Sequence, residues 1–302
     1  PKQNPDNPHL WSPGIRTGVS LGNFCHSQEL FGPVLSVMKA KNLKEAILIA
    51  NSTCYGLTSG LHSLDEREKE VWLKSVQAGN YYINRSITGA IVERQPFGGC
   101  KDSNFGHGRK AGGPNYLLQF CNWKEKSIPE ISINLSQIYN VLQTCSFFKE
   151  FTKEEKRIFE LSLKQYTHWW RTYFSQRHDE QKLIGQDNYF FYHPYNKIFL
   201  RISPEDRAID IYRLLAMSKI CHFSLVVSEP SSSGMIKDIT RLKKHLGIEF
   251  VKESEESFFA RVAKEKNARL RLLSPCPTSW LSKLPLDTVI CDSQLLALGR
   301  FE

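Results

Sequence analysis

The chain has 302 residues, 41% of them hydrophobic and 24% charged, which excludes a disordered or fibrous chain and leaves enough apolar material for two cores. The formal net charge of +9 would suit a nucleic acid or an anionic surface. Yet Lys and Arg are interleaved with acids in stretches such as "DEREKEVWLK" and "TKEEKRIFE", so solvated helix faces are expected and no nucleic-acid partner.

No apolar run approaches the roughly 20 residues of a spanning helix, and the N-terminus lacks the basic and apolar regions of a signal peptide. The cysteines at 25, 54, 100, 121, 145, 221, 276 and 291 show neither C-x-x-C nor Cys/His ligand spacing. They read as reduced thiols of a cytoplasmic protein, with no zinc or other metal site expected. The chain opens on Pro1 without an initiator Met and closes on "LLALGRFE", so a segment cut at both ends is expected.

In chain order, "ELFGPVLSVMKA" at 29–40 sets an acid, an aromatic, a glycine and a proline directly before a buried-looking strand. Leu43, Ala46, Ile47 and Ala50 then predict a helix over 41–51. Val71, Trp72 and Val76 predict another over 65–78, closed by Gly79 at its C-cap. "YGLTSGLHS" and "NYYINR" read as strands. The alternation strand, helix, strand, helix, strand predicts a parallel α/β sheet. Residues 86–114 form a Gly-rich loop region, and "NYLLQFCNWKEKSI" reads as a strand leaving the body of this domain.

The periodicity weakens over 127–151, and two domains are expected, 1–130 and 131–302. Thr152 with Glu155 is a capping-box signature for a helix running to about Arg177, with Phe159, Tyr166, Trp170 and Tyr173 on its apolar face. "YFFYHPYNKIFLRI" reads as a hairpin around Pro194 and Asn196. Ser203 with Pro204 predicts an N-cap and first-turn proline for a helix ending near Lys219. "FSLVVS", a helix to His245 closed by Gly247, "IEFV", a helix over 254–266, "RLRLLS" and "DTVIC" then alternate as in a second doubly wound α/β domain.

Two loops could have carried a dinucleotide fingerprint. "FGHGRKAGG" places glycines at 106, 108 and 112 but lacks the preceding buried strand that the motif needs. "RISPEDR", after the first strand of the second domain, contains no glycine. That domain is therefore expected to have a dinucleotide-type winding without the phosphate loop.

The string "ELFGPV" resembles the aldehyde dehydrogenase superfamily, and the likeness continues through "NSTCYGLTSGLHSLDEREKEVW". "TGAIVERQPFGG" with "KAGGPNYL" is similar to L-glutamate γ-semialdehyde dehydrogenase, also called Δ1-pyrroline-5-carboxylate dehydrogenase. "NPHLWSPGI" and "LIGQDNYFFYHPYNKIFLRI" resemble the long bifunctional proline utilisation flavoenzymes, in which proline dehydrogenase shares a polypeptide with this enzyme. The fold class implied is α/β: the C-terminal portion of an aldehyde dehydrogenase fold, then a dinucleotide-fold-like domain of structural role.

The resemblance also implies roles for particular residues. Glu29 would bridge the two vicinal hydroxyls of the nicotinamide ribose of NAD, a carboxylate offering two acceptors to two adjacent donors, with Phe31 beside the nicotinamide. Gly89 and Ala90, after Thr88, would anchor the substrate carboxylate through backbone N–H groups. Phe97 would pack on the methylene chain of glutamate semialdehyde. Arg85 and Arg94 are assigned structural roles.

In the family the nucleophilic cysteine, the base and the main cofactor domain precede the "ELFGPV" motif, so no catalytic residue is expected in this chain, and Cys25 and Cys100 are read as inert. The expected partners are the small-molecule substrate and the upstream remainder of the enzyme, including a proline dehydrogenase; a homo-oligomer is compatible with this reading. The isolated chain is expected to be inactive. The rival expectation is a non-catalytic assembly or lid module acting on the same enzyme in trans.

Overall fold

The computed structural model describes residues 1–91, 94–122, 130–134 and 137–292. It divides into two compact units, Pro1–Leu117 and Leu118–Glu302. The division precedes the boundary expected at 130/131.

The first unit runs β1 (Gly14–Arg16), α1 (Phe24–Ser27), β2 (Val34–Ser36), α2 (Leu43–Asn51), β3 (Thr58–Leu61), α3 (Glu66–Ser75) and β4 (Asn80–Ile83). The helices start where short polar side chains cap them. Asn42 Oδ1 accepts from the Glu45 N–H at 3.0 Å, and Asp65 Oδ1 from the Arg67 N–H at 2.8 Å. Ile47, Trp72 and Val76 form the buried core, with Leu43, Leu61, Tyr81 and Ile83 around them. Trp72 meets Tyr81 edge-on at 5.5 Å.

The strands pair in parallel, but as β1 with β2 and β3 with β4, in two separate two-stranded sheets. The single sheet expected from the alternation does not form. The Gly56 carbonyl, at the mouth of β3, accepts from both Gly79 and Cys100 at 2.8 and 2.9 Å, which commits that end to β4 and the glycine loop rather than to β2.

Two further expectations need correction in this unit. α3 is capped at Val76 in an extended conformation, so Gly79 is no C-cap. A Cβ at position 79 would lie 1.8 Å from the Gly98 carbonyl oxygen, and glycine is required there by close backbone approach. Of the strand expected over 115–128, Leu117–Phe120 is a 3-10 turn and residues 123–128 lie outside the described residues.

The second unit starts with α4 (Gln137–Leu142), α5 (Ser146–Glu150) and α6 (Lys153–Trp169). α6 opens on the expected capping box, with Thr152 and Glu155 bonded reciprocally. It passes into a π-helical turn at Trp170–Phe174. Phe159 and Tyr166 are buried at 0% and 1% exposure, which places them in the core as their spacing predicts.

The sheet follows: β5 (Ile198–Arg201), α7 (Ala208–Ile220), β6 (Leu225–Pro230), α8 (Ile239–Leu246), β7 (Glu249–Glu253), α9 (Glu255–Val262), β8 (Arg269–Arg271) and β9 (Val289–Cys291). All five strands are parallel in the order β7-β6-β5-β8-β9. Strands are laid outward from β5 to β7, and the chain then crosses back to lay β8 on the other side. This is the doubly wound pattern expected, with its switch point between β5 and β8.

The hairpin around Pro194 and Asn196 is absent. Both edges of β5 are taken by parallel neighbours, and Phe190 forms its bridge with His178 instead. Ser203 is not an N-cap either: its N–H donates to Asp206 Oδ2 at 2.8 Å, closing a turn that delays α7 to Arg207 as N-cap. The expected C-cap Gly247 is in place at φ 68°. The closing stretch "LLALGRFE", residues 295–302, lies outside the described residues.

Candidate functional site

The expected cofactor residues sit on the loop between α1 and β2. Two tight turns shape it, with the Gly32 N–H donating to Leu30 at 2.7 Å and the Val34 N–H to Gly32 at 2.8 Å. They bring the chain into β2 with Glu29 and Phe31 turned outward. Glu29 is exposed and its carboxylate makes no hydrogen bond or ion pair among the described residues. Phe31 is 98% exposed. A shallow, mostly apolar groove lined by Pro13, Ile15, Pro33, Val34 and Leu35 lies next in the chain. An exposed aromatic beside an unpaired carboxylate offers one apolar face and two acceptors, which fits a hydroxyl-bearing ligand with a flat apolar ring.

The expected carboxylate anchor follows β4. Asn84, at φ 55°, is held by exchange of two 2.9 Å bonds with the backbone of Ser63. Ser86 and Thr88 hydroxyls pair at 2.8 Å. Gly89 then adopts φ 82° with open space around it, and Ala90 is exposed. A left-handed residue in an exposed turn reorients successive N–H groups and suits an anion nest.

Phe97 is half-buried and tied down on both sides. It exchanges two 3.0 Å backbone bonds with Ala111. On its other side Asn80, 8% exposed, brackets it: Nδ2 donates to the Pro96 carbonyl at 3.0 Å, and Oδ1 accepts from the Gly98 N–H at 3.1 Å. Gln95 donates to the Tyr82 hydroxyl at 2.7 Å. Arg85 lies over the Tyr82 ring at 5.4 Å, a packing contact in keeping with a structural role.

Gly89, Ala90 and Phe97 thus lie on segments that leave the same strand, β4. Glu29 and Phe31 enter the other two-stranded sheet, and no hydrogen bond joins the two groups among the described residues. Asn80, Tyr82, Gln95 and Lys110 also shape the site; they lie within the strings quoted above, but no role was attached to them there. The one available signal was an asparagine opening a strand, against β-propensity.

Burial pushes the Cys100 thiol up despite the pull of Lys101 and Lys110, which disfavours the thiolate a nucleophile needs. Burial also lowers the Lys110 amine to about 8; its Nζ donates to the Gly98 carbonyl at 2.5 Å. No group of three or more His, Cys, Asp or Glu among the described residues could hold a metal ion, and no described helix is long and apolar enough to cross a membrane.

The crevice at the switch point of the second unit is lined by Ser203, Glu205, Asp206, Ser274 and Trp280. Asp206 is buried and accepts from Ser203 N–H and Ser274 Oγ at 2.8 and 2.5 Å. A carboxylate thus fills the place where a dinucleotide fold presents backbone N–H groups to a pyrophosphate, and it would repel that anion. At the end of β6, Glu229 is consumed internally, accepting from Met235 and Ile236 N–H groups.

Residues 1–126 match the family model described as "Aldehyde dehydrogenase family". Over 115 residues the chain is 41% identical to the 1-pyrroline-5-carboxylate dehydrogenase of Staphylococcus epidermidis and 42% identical to that of Staphylococcus haemolyticus. Each alignment covers 37% of this chain and 21% of the relative. The structure of Proline Utilization A (PutA) from Corynebacterium freiburgense is similar over 99% of this chain and 27% of its own, with TM-score 0.71 and 34% identity. The chain therefore spans about a fifth of the curated relatives and about a quarter of that PutA.

Proposed function

We propose that this chain is the C-terminal part of an NAD-dependent L-glutamate γ-semialdehyde dehydrogenase, within a bifunctional proline-catabolic enzyme. Similarity to a PutA over nearly the whole chain, second unit included, supports the bifunctional setting. The observation that carries the reading is the exposed, unpaired Glu29 beside Phe31 within the aldehyde dehydrogenase segment.

Glu29 accepts from the ribose hydroxyls of NAD and Phe31 packs beside the nicotinamide, which supplies the hydride acceptor when bound. Gly89 and Ala90 present backbone N–H groups to the substrate carboxylate, and Phe97 packs on its methylene chain. The nucleophile and the base come from the remainder of the enzyme. The second unit serves a structural role, consistent with the carboxylate in its crevice.

The test compares the 302-residue chain with the complete polypeptide for NADH formation from glutamate semialdehyde. Turnover by the complete polypeptide alone is expected. Turnover by the isolated chain would refute the placement of the nucleophile, and none by either would refute the activity.

A further inference from the structure

The substrate-side loop is fastened to the sheet chiefly through one side chain. Asn80 opens β4 and is almost fully buried. Its amide uses both of its ends on backbone: Nδ2 donates to Pro96 and Oδ1 accepts from Gly98. Those two residues flank Phe97. An asparagine amide carries a donor and an acceptor in the same arrangement as a peptide group, so Asn80 extends the sheet by one surrogate peptide. On the opposite side, Ala111 exchanges both backbone bonds with Phe97 itself. The Phe97 backbone is thereby fixed from two directions, and only its side chain remains free to meet a ligand. Gly79, directly before Asn80, must lack a Cβ for Gly98 to come this close.

We infer that Asn80 is a positioning residue for substrate recognition: by clamping Pro96 and Gly98 it sets the Phe97 ring at the place where the aldehyde's carbon chain binds. The inference rests on the role proposed above for Phe97. Loss of a clamp of two buried hydrogen bonds lets the segment sample other backbone angles, and a misplacement of about 1 Å is enough to weaken recognition severely. Tyr82 and Gln95 support the same segment one residue further out.

The test uses the complete polypeptide with Asn80→Ala, Asn80→Asp, Phe97→Ala and the double variant Asn80→Ala/Phe97→Ala. Asn80→Ala is expected to raise KM for the semialdehyde about tenfold, with KM for NAD unchanged and kcat altered by less than about threefold. Asn80→Asp, which keeps the acceptor for Gly98, is expected to show a smaller rise and stands in if the alanine variant does not fold. The double variant is expected to be no worse than Phe97→Ala, because both changes act through one ring. Hydrogen exchange in the same variants is expected to show faster exchange of the Gly98 amide, leaving amides of the second unit unchanged.

If Phe97→Ala raises KM and both Asn80 variants leave it within about twofold, the positioning role is refuted while the Phe97 reading stands. If Phe97→Ala leaves KM unchanged, the Phe97 reading fails and the inference falls with it. Losses that add fully in the double variant also overturn the inference.

Discussion

The Lys110 ammonium donates to the carbonyl of Gly98 at 2.5 Å from a half-buried position, and burial lowers its pKa from 10.5 to about 8. The unfolded chain then binds more protons than the folded one between about pH 8 and 10.5, so this group's contribution to stability rises with pH across that window. Below pH 8 the buried charge costs its full penalty, about 3 kcal/mol at most from the size of the shift. Above pH 9 the raised thiol of Cys100 acts in the opposite sense. The informative measurement is therefore the difference between wild type and Lys110→Met in urea unfolding at pH 7 and pH 10. The variant is expected to be relatively more stable at pH 7 and to lose that advantage by pH 10.

Glu29→Gln preserves the shape of a side chain that has no partner among the described residues. The thermal midpoint of the chain is expected to stay unchanged. On the role proposed for Glu29, the loss of a charged acceptor in the complete enzyme should raise KM for NAD about tenfold, with KM for the semialdehyde unaffected. Steady-state kinetics varying each substrate in turn separates these.

Gly79 and Gly89 are expected to respond differently to alanine. At 89 there is open space and only the left-handed backbone resists a side chain, costing about 1 kcal/mol. At 79 the new Cβ would lie 1.8 Å from the Gly98 oxygen and 2.6 Å from the Gly99 Cα, so backbone must move. A cost of about 3 kcal/mol is expected there. Denaturation and hydrogen exchange of the β3–β4 amides should show Gly79→Ala loosening the first unit and Gly89→Ala leaving it folded with a higher KM for the semialdehyde.

Thr152→Ala removes one half of the capping box and should destabilise the second unit by about 1 kcal/mol. Bonds from the Thr152 backbone and side chain hold the Glu155 carboxyl below its ordinary 4.5. A depressed carboxyl contributes stability that is present above pH 4.5 and is lost as pH falls through its folded value. The difference between wild type and Thr152→Ala is expected to shrink in acid, and melting curves at pH 7 and pH 3.5 would check it.

Much of the fold was legible. Thr152 announced a helix start because a cap and the N–H groups it satisfies lie within three residues. Gly247 announced a helix end for the same local reason. Hydrophobic spacing separated helix from strand in both halves, and the absence of glycine from "RISPEDR" already argued against a phosphate loop. The failures lay where a local signal had a distant use: Gly79 read as a cap and serves a close approach to Gly98, Ser203 read as an N-cap and closes a turn with Asp206, and "YFFYHPY" read as a hairpin arm although β5 was saturated by β6 and β8.

Of the candidate site, the sequence by itself supplied the candidate chemistry: a carboxylate and an aromatic before a strand, and glycines in a string that resembles a known family. Which residues hold that chemistry in place was decided only by tertiary structure. Propensity, capping and periodicity act over a turn or two of chain. The clamp of Asn80 on Pro96 spans sixteen residues, and the bond from Cys100 to Gly56 joins distant loops. Such pairings depend on which backbone groups remain unsatisfied after every strand has found its neighbour, and that is a property of the folded chain as a whole.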